Sequence, residues 1–139
     1  MTDSRNAAVA ALLLRVSLGT MFVAHALLKY FAFTLPGTAQ FFESLGLPGA
    51  LGYATFAAEL VGGVMLIAGV HARAVSLALL PILLGATWAH SGNGWLFTSP
   101  KGGWEYPAFW TLTLVVQALL GDGAYALRPS GRVARLQAA

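Results

Sequence analysis

The sequence predicts an all-α integral membrane protein: a four-transmembrane-helix antiparallel bundle with a short interfacial helix in its first outer loop. Three observations carry this. Of 139 residues, 58% are hydrophobic and only 9% charged, with a mean hydropathy of +0.71. Soluble domains carry about 25% charged residues, so this chain cannot cover a water-facing surface in the usual way. Four apolar stretches have roughly the length needed to cross a ~30 Å hydrocarbon layer. The links between them are short, and backbone groups in lipid must be satisfied within each segment, which selects helices.

The first stretch runs from about Ala8 to Phe31. Its "AHA" at 24–26 resembles a signal-cleavage site, but Arg15 interrupts the apolar core and the run continues as "LLKYFAF". A retained membrane helix is therefore expected. The loop that follows, "PGTAQFFESLGLPG", sets Phe41, Phe42 and Leu45 at helical spacing, with Gln40, Glu43 and Ser44 on the remaining arc. That pattern predicts a short helix lying in the interface.

The second stretch spans about Pro48 to Val70, and the third about Ala74 to Ala89. Only "HAR" separates them, so they form a tight antiparallel hairpin. The loop "HSGNGWLFTSPKGGWEYPAFW" concentrates aromatics among Gly, Asn, Ser and Pro. It reads either as an aromatic belt at headgroup level or as a folded lid over the bundle mouth. The fourth stretch covers about Pro107 to Leu120, and a basic tail occupies 128–139. The whole chain is one integral membrane domain.

Basic residues set the orientation. Arg5, Arg73, Arg128, Arg132 and Arg135 fall on one side. Lys29 and Lys101 fall on the other, beside Glu43 and Glu105. The positive-inside rule places both termini and the "HAR" turn in the cytoplasm. The scattered basic residues form no nucleic-acid-binding stripe. With no cysteine in the chain, disulfides and thiolate metal sites are excluded.

Helical rise places Lys29 about one turn in from the outer end, His25 about two turns, and Glu59 roughly 15 Å down. Arg15 belongs to the cytoplasmic half; His90 and Glu105 stand at the outer boundary. Arg15, Gly19, Phe22, Ala26 and Lys29 form one stripe on the first helix. Gly52, Glu59, Gly62 and Gly63 share a face on the second, and small residues mark close helix approach. The third helix has a small stripe of its own: Ala74, Ala78, Pro81, Gly85 and Ala89. The fourth aligns Trp110, Thr113 and Gln117. An acid near the bilayer midplane must pair or line a polar cavity. By depth, Arg15 from below or His25 from above is the expected partner of Glu59.

His25, Lys29, Glu59, His90 and Glu105, with Trp88, Trp95, Trp104 and Tyr106, are candidates for a half-apolar pocket opening outward. Such a pocket suits a lipophilic ring with polar edges. A quinone carbonyl needs a hydrogen-bond donor and its reduction needs protons, which His and Glu can relay. Haem held by His25 and His90 meets an objection, since their depths differ by about two turns. A metal held by His25, Glu59 and His90 meets the same one, so no metal is expected. No phosphate loop, nucleophile–base pair or thiol motif is present.

"LLLRVSLGTMFVAHALLKYF", "FFESLGLPG", "AAELVGGVMLIAGV" followed by "HAR", and "AHSGNGW…GGWEYP" occur in the order found in the DoxX family, which the chain resembles over about residues 10–125. Arg15, Gly19, Lys29, Gly46, Pro48, Glu59, Gly62 and Gly63 match the family pattern, while Ala26 stands where relatives often have Gly. The resemblance implies a four-helix bacterial inner-membrane protein. Some members are quinone-linked membrane subunits of thiosulfate oxidation, and others are associated with thiol, oxidative-stress or quinone-detoxification systems. With no cysteine, a direct thiol role does not carry over. Three functions follow as expectations. One is a redox-associated subunit, itself part of a quinone-linked oxidoreductase, binding a quinone or similar lipophilic molecule. The second is a non-catalytic accessory subunit packed against a larger membrane complex or against copies of itself. The third is a carrier for a small lipophilic solute.

Overall fold

In the computed structural model, which describes residues 2–131, every regular element is helical apart from an isolated bridge between Val70 and Arg128. Among the described residues five α-helices follow in order: α1 Thr2–Phe31, α2 Leu35–Ser44, α3 Ala50–Ala68, α4 Ala72–His90 and α5 Glu105–Leu120. Three helical segments, Asp3–Phe31, Ala50–Ala68 and Ala72–Asn93, are long and apolar enough to cross a membrane. α5, with 16 residues, is about 24 Å long. The predicted boundaries agree within two residues except at the start of α1, where the polar "TDSRN" continues the helix. Residues 132–139, with Arg132 and Arg135 of the expected basic tail, lie outside the described residues.

α1 packs most extensively on α3, and α4 on α5. The first contact rests on two glycines. A Cβ on Gly19 would fall 2.6 Å from the Gly63 carbonyl oxygen, and one on Gly63 would fall 2.8 Å from the Gly19 oxygen. The backbones meet where side chains are absent. Gly62 turns instead toward Leu79 of α4, and Gly52 toward Ala39 of α2. Each small residue of the α3 stripe thus has its own neighbour, and all are buried with Glu59.

The small stripe of α4 behaves otherwise. Ala74, Ala78, Pro81 and Gly85 are exposed, and a Cβ at Gly85 would meet open space. The buried face is Ala72, Val75, Ser76, Leu79 and Leu83. Close approach selects small residues, but a helix facing lipid or a partner carries them as readily. Ala72, Val75, Leu79 and Leu83 join Leu18, Phe22, Leu66, Trp110 and Leu114 in the core. Around it, large apolar side chains such as Leu13, Phe31, Val61, Leu84, Phe109 and Leu119 are exposed, as a lipid-facing surface requires.

α2 is the short helix expected in the first loop. Thr34 Oγ1 accepts the Gly37 N–H at 3.2 Å to start it. Gly46, at φ +79°, ends it, with the Gly46 and Leu47 amides returned to Glu43 and Phe42 carbonyls. That reversal leads the chain into α3, against which α2 packs.

Beyond α5 the chain folds back across the end that carries the α3–α4 turn. Ala124 N–H donates to Ala8 O at 2.9 Å, and Arg128 N–H to Gly69 O at 3.0 Å. His71 N–H donates to Arg128 O at 2.8 Å. Asp122 fastens this strap. Its Oδ1 accepts the Ala72 N–H at 2.9 Å and the Ser130 hydroxyl at 3.0 Å, and its Oδ2 accepts the Ser130 N–H at 2.8 Å.

Candidate functional site

Lys29 stands in the last turn of α1 and Glu59 lies midway along α3. Lys29 Nζ donates to Glu59 Oε2 at 2.7 Å, with only 17% and 5% of the two side chains exposed. The partner expected by depth was Arg15 or His25, and the structure corrects that. The glycine crossing explains it. Lys29 stands ten residues beyond Gly19, and Glu59 four before Gly63, so their Cα atoms are offset by roughly 9 Å along the bundle. Side chains tilt toward the N-terminus of their own helix. In an antiparallel pair that tilts Lys29 downward and Glu59 upward, and the lysine stem spans the gap.

Arg15 is buried at the opposite end. Its Nη2 donates to Ala124 O at 3.1 Å, and Asp122 is within electrostatic reach. Gly69, at φ +73°, makes this possible, because a Cβ there would coincide with the guanidinium. Arg15 thus ties α1 to the α3–α4 turn and the strap. It takes no part in the Lys29–Glu59 site.

His25 does. It lies within electrostatic reach of the Glu59 carboxylate. Its Nδ1–H donates to Met21 O at 2.9 Å. A carbonyl only accepts, so Nδ1 carries the proton, and Nε2 keeps its lone pair in the neutral ring. The ring packs 4.8 Å from Trp110 and 6.3 Å from Tyr106, centroid to centroid. Trp110 is itself buried against Phe22 at 4.7 Å, and its Nε1–H has no hydrogen-bond partner. A buried indole N–H normally finds one. Trp110 was legible only as part of a helix face. Its place one turn after Tyr106 was the available sign that both would meet the same neighbour.

Above this cluster the 91–104 loop is folded, as a lid would be. Trp104 N–H donates to Gly94 O and Glu105 N–H to Trp95 O, both at 3.1 Å. Asn93 Nδ2 donates to Gly102 O at 2.9 Å. Trp95 meets Trp104 edge-on at 4.5 Å. Glu105 Oε1 accepts the Phe97 N–H at 3.0 Å, so this acid serves loop closure at the start of α5. His90 closes α4, its Nδ1–H donating to Ala86 O at 2.7 Å and its ring facing Gly102. Trp88 is 57% exposed on the side of α4.

Trp95, Glu105, Tyr106 and Phe109 line an open hollow of about 340 Å³. Tyr106 links it to His25. The expected site therefore divides. His25, Lys29 and Glu59 gather with Trp110 inside the bundle, and Tyr106, Glu105 and Trp95 form the mouth. His90 and Trp104 support the loop, while Trp88 and Arg15 lie elsewhere. Among the described residues no three His, Asp or Glu side chains converge as a metal-ligand set.

No solved structure matches the chain. A Bacillus subtilis (strain 168) protein named "Putative oxidoreductase CatD" is 36% identical over 121 residues, covering 87% of this chain and 86% of that one. The DoxX family model matches residues 10–92, the segment that holds Arg15, Gly19, Lys29, Glu59 and the glycines that seat them. With its apolar helices and this match, the chain is a multi-pass membrane protein that belongs to the DoxX family.

Proposed function

We propose that this protein is a redox-associated membrane subunit that binds a quinone or a similar lipophilic ring at the Tyr106 end of the bundle. The observation that carries the reading is the buried Trp110 Nε1–H without a partner, beside the open Nε2 of His25. Tyr106 packs on both rings and lines the aromatic-walled hollow. Behind it they offer a donor for a carbonyl oxygen and an acceptor for the hydroxyl of its reduced form, which fits a flat redox ring. The oxidoreductase name of the Bacillus relative supports a redox association.

A quinone supplies two-electron, two-proton redox chemistry when bound. The chain's part is to hold the ring and handle protons. Trp110 Nε1–H holds a carbonyl oxygen, and Tyr106 and Phe109 flank the ring. His25 Nε2 gives or takes a proton. Lys29 balances the charge of Glu59, so the acid neither leaves the bundle nor draws water into it.

In the proposed membrane arrangement α5 is the fourth span. The Arg5, Arg73 and Arg128 end faces the cytoplasm of a bacterial inner membrane, following the positive-inside rule, and the hollow opens to the other side. A second reading, an accessory subunit packed against a larger complex, is favoured by the exposed small residues of α4.

Extraction of the purified protein with organic solvent tests the proposal. Wild-type protein is expected to yield bound quinone. Trp110→Phe keeps an aromatic ring, a smaller one, and removes the N–H donor, so retention should fall about three- to tenfold. Quinone-free wild-type protein, or equal retention by Trp110→Phe, refutes the reading.

A further inference from the structure

At the end of the bundle opposite the Lys29–Glu59 pair, His71, Arg73, Ala74, Leu77, Ser130 and Gly131 surround an open hollow of about 270 Å³. We propose that it binds the phosphate of an anionic phospholipid.

Arg73 is the reason. Its Nε is buried and has no hydrogen-bond partner, and among the described residues no carboxylate pairs with it. The guanidinium passes beside Gly121, where a Cβ would fall 2.9 Å from Nη2. A buried donor of a charged group without an acceptor is costly, and a phosphate oxygen is the acceptor that its planar fork fits best. Asp122, the nearby acid, is committed elsewhere. Both its oxygens already accept from Ala72 and Ser130, and Arg15 is within its electrostatic reach.

The walls point to a lipid as the source of the phosphate. Arg73 opens α4, whose first-turn amides form its positive pole. Below the mouth the hollow runs down the exposed side chains of Ala74 and Leu77. A cation at the mouth and an apolar wall beneath it match a phosphate headgroup with an acyl chain alongside. A soluble phosphate has no use for the apolar wall. His71, held at φ +47° by the turn, lines the mouth and adds a second possible donor.

Native mass spectrometry of the full-length protein in neutral detergent tests this, with phosphatidylglycerol, phosphatidylcholine and inorganic phosphate as probes. Wild-type protein is expected to retain phosphatidylglycerol over phosphatidylcholine. Arg73→Gln should lower phosphatidylglycerol retention about five- to tenfold and leave phosphatidylcholine unchanged. Arg5→Gln removes an exposed charge at the same end and should change retention less than about twofold. If Arg73→Gln does not assemble, Ala74→Glu takes its place. It sets a carboxylate on the rim with Arg73 intact and should produce the same loss. Equal retention by wild type and Arg73→Gln overturns the site, as does an equal loss in Arg5→Gln. Displacement of the lipid by millimolar inorganic phosphate overturns the assignment to lipid.

Discussion

Glu59 is buried in the bundle, so its energetics are those of the pair it makes. Charges taken out of water are costly, and removing one partner strands the other. Glu59→Ala should therefore destabilise the protein by about 3 kcal/mol, and Lys29→Ala by a similar amount. Replacing both, with Lys29→Met and Glu59→Leu together, restores apolar packing and should recover most of the loss. Thermal unfolding in detergent measures all three. A double variant as unstable as the sum of the singles would show that the two residues act independently. The same comparison separates support from function. A double variant that is stable yet has lost quinone retention places the pair in the working site. One that keeps retention makes it a brace for His25 and Trp110.

At the scale of the helix, the same residue type has opposite value on two faces. Gly63 lies against Gly19 and Val23, where a Cβ would come within 2.8 Å of the Gly19 oxygen and of the Val23 side chain. Gly63→Ala should cost about 1–3 kcal/mol, since α1 and α3 must separate. Gly85→Ala adds a Cβ in open space and should stabilise by up to about 1 kcal/mol, as alanine favours a helix. Thermal melts of the two variants check the contrast, and a loss in Gly85→Ala would mean that α4 is covered by a partner. The pair also shows what the sequence could reveal. Periodicity put Glu59 and its glycines on an inward face because a charge among small residues has no alternative in lipid. It could not orient the α4 stripe, which has no charge to fix it. Nor could it pair Lys29 with Glu59, since depth alone omits the helix register that Gly19 and Gly63 set. Asp122 went unnoticed because its partners, the Ala72 amide and the amide and hydroxyl of Ser130, meet it only when the strap folds back, and no spacing in the sequence announces them.

At the scale of the whole molecule, α5 decides the topology. Its roughly 24 Å length is short of the ~30 Å hydrocarbon layer, yet its two ends attach to opposite ends of the bundle. Glu105 is bonded into the 91–104 loop, and Gly121 leads into the strap beside Ala8 and Gly69. α3 and α4 are 19 residues each, and α5 lies along α4, which supports the proposal that α5 is a fourth span. On that proposal, the aromatic residues at the start of α5 and the polar strap at its end make up the missing length at the two interfaces. The chain has no cysteine, so single reporters can be introduced without background. Ser99→Cys in the loop and Ser130→Cys in the strap are expected to react with a membrane-impermeant maleimide from opposite faces. By the positive-inside rule, Ser99→Cys labels in intact cells and Ser130→Cys only after the membrane is opened. Labelling of both positions from one face would mean that α5 does not cross, and the hollow beside Tyr106 would then lie on the same side as Arg73.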